Sequence, residues 1–109
     1  MNNISFIGMA GSGKSTLGQA LSVKLEVSFA DTDFLIEERF SQSLEDLKQA
    51  KGYKFLRLAE EGIILSLQNE IKIISTGGSA IYSDNAMSHL NSFSMMIYIS
   101  APISIIKSR

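Results

Sequence analysis

Ile4-Ser5-Phe6-Ile7 is a short apolar run that stops at Gly8, and from Lys14 onward the apolar positions change period, with Leu17, Ala20, Leu21 and Leu25 three or four residues apart. A strand, a glycine loop and a helix are predicted in that order. Val27-Ser28-Phe29-Ala30 is β-prone and runs into Asp31-Thr32-Asp33, so a second strand is expected to end where two carboxylates emerge. Phe34 to Phe40 predicts a helix; after the Ser41-Gln42-Ser43 break, Leu44 and Leu47 carry a shorter one up to a turn near Gly52. Between Tyr53 and Gln68 a longer helix is predicted, with Phe55, Leu58, Gly62 and Leu65 on its apolar face and Leu56, Ile63 and Leu67 widening it. A mid-helix glycine costs about 1 kcal/mol of propensity, so Gly62 predicts a close helix-to-sheet approach. Ile71 to Ser75 reads as a third strand, stopping at Thr76-Gly77-Gly78-Ser79. A polar helix over Asp84 to Leu90 and a fourth strand over Met95 to Ile99 follow, the Met95-Met96 pair being assigned to the core and Pro102 to the first turn of a last helix.

Strands alternating with helices predict an α/β fold, a parallel sheet with helices on both faces and right-handed crossovers, here as one domain over residues 1–109. Ligands in such sheets bind beyond the carboxyl ends of the strands. The Gly8 loop, the Asp31/Asp33 pair and the Gly77-Gly78 loop each follow a strand and should share that edge. Composition narrows the class further. With 45% hydrophobic and 19% charged residues the chain should bury a true core, and its net charge of −1 gives no general attraction to nucleic acid or anionic membranes. Cysteine is absent, which removes disulfides, thiolate metal sites and cysteine nucleophiles. No run of about 18 apolar residues is present and Met1-Asn2-Asn3 lacks a signal peptide's positive charge, so a cytoplasmic protein is expected. The single histidine, His89, is expected at the surface, and Glu37-Glu38 on a solvated helix face.

Gly8-Met9-Ala10-Gly11-Ser12-Gly13-Lys14-Ser15 satisfies the pattern glycine, four residues, Gly-Lys-Ser/Thr, between a strand and a helix. Its glycines let successive N–H groups curl around phosphate oxygens, and the helix behind adds the positive end of its dipole. Gly11, Ser12, Gly13, Lys14, Ser15 and Thr16 are therefore the candidate ATP-binding residues, with Lys14 reaching the β- and γ-phosphates and the Ser15 hydroxyl a ligand of Mg²⁺. A plain connecting turn would give no reason for Lys14 and Ser15 to stand there. Asp31 and Asp33, two apart at a strand end, can face one edge, one towards a metal and one towards a hydroxyl substrate. The plainer alternative for Asp-x-Asp is a turn or a helix N-cap.

The Gly8 to Thr16 loop, Asp31-Thr32-Asp33 followed by Ile36-Glu37, Arg57 early in the third long helix, and Ser75-Thr76-Gly77-Gly78 after the third strand together resemble shikimate kinases, from Ile4 to the end of the chain. The resemblance implies the P-loop NTPase fold of the nucleoside monophosphate kinase type and phosphoryl transfer from ATP to the 3-hydroxyl of shikimate. It implies that Asp31 holds Mg²⁺ with Ser15, and that Lys14 and Asp33 are catalytic. Asp33 would bind the acceptor hydroxyls and serve as base. Arg57 would pair with the shikimate carboxylate through its planar fork, and Gly77 and Gly78 would offer N–H groups to the acceptor. Taken alone, Arg57 would read as a solvated helical charge near Glu60 and Glu61. The partners expected are ATP and shikimate, without nucleic acid or membrane, and the complete protein is expected to be a monomer.

The chain departs from the family at Ala10 (usually Met), at Ser79 (usually a third glycine), and at Phe55 and Leu56 (usually Gly and Phe). A side chain at Ser79 can narrow the acceptor pocket. Shikimate kinases also continue past the position matching Arg109 through an arginine-bearing lid, a second carboxylate-binding arginine, a fifth strand and a last helix, so this sequence is expected to be an N-terminal portion. Turnover without a lid should collapse, because water is poorly excluded and the transition state loses a cation. Ser79 keeps open a gluconate- or nucleoside monophosphate-type kinase, and the missing lid a nucleotide-binding module without catalysis.

Overall fold

A computed structural model describes residues 3–8 and 13–99 of the chain. Its elements run β1 (Ile4–Gly8), α1 (Lys14–Leu25), β2 (Phe29–Asp31), α2 (Thr32–Phe40), α3 (Leu44–Lys51), α4 (Tyr53–Ser66), β3 (Ile73–Ser75), a single 3₁₀ turn (Ala80–Tyr82), α5 (Asp84–Phe93) and β4 (Met95–Ile99). The four strands form one parallel sheet in the order β2-β3-β1-β4. Registers Asp31↔Ser75, Phe6↔Ser75 and Gly8↔Ile99 bring the carboxyl ends of all four strands to one edge, as the alternation of elements predicts. Among the described residues no helix is long and apolar enough to cross a membrane. The last helix expected at Pro102 lies outside the described residues.

Period-two alternation gives the sheet two apolar faces. Ile7, Ala30 and Ile74 point to one side and pack with Ile64 and Leu67 of the α4 region and with Ala86 and Leu90 of α5. On the other side Gly18 of α1 sits against Phe29 and Ile73. A second apolar cluster, Ile36, Leu47 and Ile63, joins α2, α3 and α4, with Phe40 and Phe55 edge to face at 5.1 Å between ring centres. That second cluster fixes the wall over the strand ends.

Strands β2 and β3 begin two residues later than the apolar runs suggest. Side chains take up the backbone groups there in place of a ladder: Ser28 Oγ donates to the Glu70 carbonyl and accepts from the Lys72 N–H, and Asn3 Nδ2 donates to the carbonyls of Asn69 and Ile71. Helix α2 begins at Thr32, earlier than the pattern gives, because Asp31 caps it. Helix α5 runs on to Phe93, and Ser94, where it ends, donates from Oγ to the Leu90 carbonyl.

The buried face of α4 differs from the one the pattern favours. Leu58 and Leu65 are 68% and 44% exposed, whereas Glu60, Ile63, Ile64 and Leu67 are buried. Sequence periodicity allows both stripes; the helices packed above α4 select the second. A Cβ placed on Gly62 would meet nothing within 4 Å, while one on Gly18 would lie 2.7 Å from Phe29 Cε1, so Gly18 makes the close approach expected of Gly62. Gly18→Ala should therefore destabilise by about 1–2 kcal/mol after its propensity gain, and Gly62→Ala should stabilise by about 0.5–1 kcal/mol. Urea denaturation of both variants checks the opposite signs.

Three smaller expectations also change. Met95 is 55% exposed and only Met96 packs against the core. His89 is half-buried: its Nε2 lies 2.6 Å from the Leu67 carbonyl oxygen and its ring meets Phe93 edge to face, so it ties α5 to the end of α4. Glu37 accepts the Leu44 N–H at 2.8 Å and so holds the start of α3, while Glu38 is exposed.

Candidate active site

Gly13, at φ 92°, is the N-cap of α1, so that helix opens onto the carboxyl edge of the sheet with Lys14 as its first residue. Lys14 is only 5% exposed and its Nζ donates to the Gly8 carbonyl at 2.9 Å. Burial pulls its pKa down, opposed by the nearby carboxylates of Asp33, Glu60 and Asp31. Gly11 and Ser12 lie outside the described residues. Gly13, Lys14, Ser15 and Thr16 line one side of a cavity of ≈ 200 Å³ whose other side is Asp33, Thr76 and Gly78.

Asp31 takes the N-cap alternative and also meets the phosphate-loop helix. Oδ1 accepts the N–H groups of Asp33 and Phe34, capping α2, and Oδ2 accepts the Ser15 hydroxyl at 2.5 Å. One carboxylate thus joins the phosphate-loop helix to the helix carrying Asp33. Ser75 Oγ stands 3.3 Å from the same Ser15 hydroxyl. Thr76 bonds through both N–H and Oγ1 to the Phe6 carbonyl, which anchors the β3 loop beside β1.

Asp33 is half-buried, and its pKa is pushed up from 3.8 to about 6, first by burial, then by the carboxylates of Glu60 and Asp31, with Lys14 partly opposing. It is a carboxyl poised near neutrality at the point where the loop cavity meets a second, larger one.

That second cavity, ≈ 300 Å³, has Ile36, Leu44 and Leu56 as its apolar wall, Asp33, Glu45 and Glu60 as carboxylates, Lys48 and Tyr53 at the α3–α4 corner, and Gly78 and Ser79 from the β3 loop. Asp33 and Gly78 line both cavities. The Gly77 N–H, by contrast, is turned inward, donating to Thr32 Oγ1 at 2.9 Å and to the Glu60 carboxylate, so it is already engaged by the protein. A Cβ at Gly77 would collide with Asp33 Oδ1 and with the Glu60 carboxylate, so a larger residue here would have to displace both acids. Arg57 does not line the cavity; it is exposed on the rim, its Cζ 5.4 Å from the Tyr53 ring centre and 4.6 Å from that of Tyr82.

Sequence reasoning missed Glu60. It is 2% exposed and accepts from Thr32 Oγ1 at 2.7 Å, from Ser79 Oγ at 2.5 Å and from the Gly77 N–H, so it pins the start of α2 and the β3 loop to α4. The signal was present: Leu56, Glu60, Ile63 and Leu67 follow a 3.6-residue period, which places a carboxylate inside an apolar stripe. Ser79, whose side chain is expected to narrow the acceptor pocket, has its hydroxyl turned to Glu60 as one of the donors that hold that carboxylate. Among the described residues no buried side-chain nitrogen or oxygen lacks a hydrogen-bond partner.

Comparison with known proteins follows the same lines. A family model described as shikimate kinase matches residues 10–109. A shikimate kinase of Clostridium botulinum (strain Okra / Type B1) is 41% identical over 105 residues, covering 94% of this chain and 61% of the relative. One from Azobacteroides pseudotrichonymphae is 32% identical over 111 residues, covering 100% and 65%. The chain therefore spans less than two thirds of these curated relatives. The crystal structure of shikimate kinase from Aquifex aeolicus is similar with a TM-score of 0.80 at 30% identity, over 98% of this chain and 64% of that one. Shikimate kinase from Acinetobacter baumannii in complex with shikimate gives 0.83 at 25% identity, over 100% and 62%. With the sheet order, the fold likeness and a family match running from residue 10 to residue 109 all in agreement, this chain belongs to the shikimate kinase family and has its P-loop kinase fold.

Proposed function

We propose that the chain carries the ATP-binding and acceptor-binding portion of a kinase that phosphorylates the 3-hydroxyl of shikimate. The observation that carries this reading is the meeting of two cavities at Asp33 and Gly78: one backed by the phosphate-loop residues, the other lined by apolar side chains and carboxylates suited to a small hydroxylated ring. The Acinetobacter baumannii relative, solved with shikimate, supports that choice of acceptor.

In this reading Lys14 and the N–H groups at the start of α1 bind the β- and γ-phosphates in the smaller cavity, as a buried cation and a helix N-terminus do. Asp33 accepts the proton of the acceptor hydroxyl as its oxygen bonds to the γ-phosphorus and the bond to ADP breaks. A carboxyl near pKa 6 is mostly ionised at pH 7 yet basic enough to take that proton. Ser15 Oγ and Asp31 Oδ2, two hard oxygens already in contact, fit Mg²⁺, which takes one or two protein oxygens and completes its shell with phosphates and water. When bound there, Mg²⁺ would neutralise charge developing between the phosphates. Gly78 and Arg57 remain the acceptor-facing loop residue and the carboxylate partner in this scheme, and Gly77 acts through its inward bonds.

Calorimetric titration tests the reading without requiring turnover. Shikimate should bind this chain saturably, more tightly with Mg-ADP present, and Asp33→Ala should weaken it at least about tenfold. Lys14→Ala should weaken Mg-ATP by a similar factor and leave shikimate nearly unchanged. Intact nucleotide binding with no shikimate binding would point to another acceptor or to a nucleotide-only module.

A further inference from the structure

Helices α3 and α4 meet at Gly52, whose φ of 88° lets one residue end the first helix and start the second. The corner brings Lys48, near the end of α3, and Arg57, one turn into α4, over a single ring. Lys48 Nζ lies 5.3 Å from the Tyr53 ring centre and Arg57 Cζ 5.4 Å from it; Arg57 also stands 4.6 Å from the Tyr82 ring centre. Lys48 and Tyr53 line the acceptor cavity. Neither cation is ion-paired among the described residues.

The charge pattern of the cavity gives this corner a direction. Asp33, Glu45 and Glu60 line it as carboxylates, and Lys48 is its only cationic lining residue among those described. An acceptor carrying one carboxylate would be repelled from the three acids and drawn to the Lys48–Arg57 rim, which leaves its hydroxyl-bearing side for Asp33. A ring holding a cation by its face limits the freedom of a long side chain, so less ordering remains to be done on binding.

We propose that Lys48 is a second binding residue for the acceptor carboxylate, acting beside Arg57 and positioned by the Tyr53 ring the two share. The proposal rests on the acceptor reading above and adds a residue to it. The test is calorimetric titration of shikimate and of its methyl ester, which lacks the anionic charge, into the parent chain, Lys48→Ala and Lys48→Arg at low salt. Lys48→Ala should weaken shikimate about threefold to fivefold, as expected for a solvent-exposed ion pair, and leave the ester's affinity unchanged. Lys48→Arg, which keeps the charge, should stay within about twofold of the parent. Equal shikimate affinity in the parent and Lys48→Ala, or equal weakening of acid and ester, overturns the proposal while the acceptor reading stands. A parent chain that binds Mg-ATP but not shikimate overturns the acceptor reading, and this proposal with it.

Discussion

Asp33→Asn should make the protein more stable at neutral pH while removing its affinity for the acceptor. The Asp33 carboxyl titrates near 6 in the folded chain against 3.8 as the ordinary value, so the folded state holds this proton more tightly than the unfolded one. Stability contributed by the protonated carboxyl is therefore complete below about pH 4 and is lost as pH rises through 6. A shift of this size corresponds to about 3 kcal/mol at most; Asp33 is only half-buried, and solvent screening reduces the expected effect to about 1–2 kcal/mol. Asparagine cannot ionise. The stability difference between Asp33→Asn and the parent should thus grow by about 1–2 kcal/mol in favour of the variant between pH 4 and pH 7.5. Urea denaturation at several pH values measures it, and other titrating groups largely cancel in the difference. A difference that stays flat with pH would mean that Asp33 is an ordinary solvated carboxylate. Stability gained by removing a functional group is the pattern of a site held under strain for use.

Glu60→Ala should destabilise the fold by about 2–3 kcal/mol and loosen the acceptor wall. The carboxylate gathers the hydroxyls of Thr32 and Ser79 and the Gly77 N–H, and Thr32 is fully buried. After truncation the Thr32 hydroxyl loses its acceptor in a dry environment, although the Gly77 N–H keeps Thr32 Oγ1 as a partner. Relief of repulsion with Asp33 offsets part of this cost, and the Asp33 pKa should fall in the variant. Glu60→Gln retains one accepting oxygen and should lose roughly half as much. Thermal and urea unfolding give the stability change, and shikimate titration shows whether the loop from Gly77 to Ser79 still forms the pocket. Unchanged stability in Glu60→Ala would show that water replaces the carboxylate at no cost.

Sequence alone was enough for the element order, the parallel sheet and the family, because each rests on local rules. Ile4 to Ile7 can only be a short buried strand, the Gly-x₄-Gly-Lys-Ser spacing demands a loop between strand and helix, and alternation of strands with helices forces one set of loops onto one edge. Asp31, Asp33 and the Gly77-Gly78 loop were legible for the same reason, being the residues that follow strands.

Tertiary structure alone decided matters set by residues distant in sequence. Which stripe of α4 is buried depended on what α2, α3 and α5 laid over it, and with that choice went Glu60, whose partners are 17, 19 and 28 residues away. The identity of the glycine that touches the sheet depended on the position of Phe29, eleven residues beyond Gly18. Lys48 and Arg57 share a ring only because one glycine folds α3 back on α4, and the Asp33 pKa rises to about 6 because the fold buries the carboxyl and then sets Glu60 and Asp31 beside it. Spacing along a chain specifies backbone shape and which residues can meet at a sheet edge; burial, partner choice and proton affinity are sums over neighbours that only the packed molecule supplies.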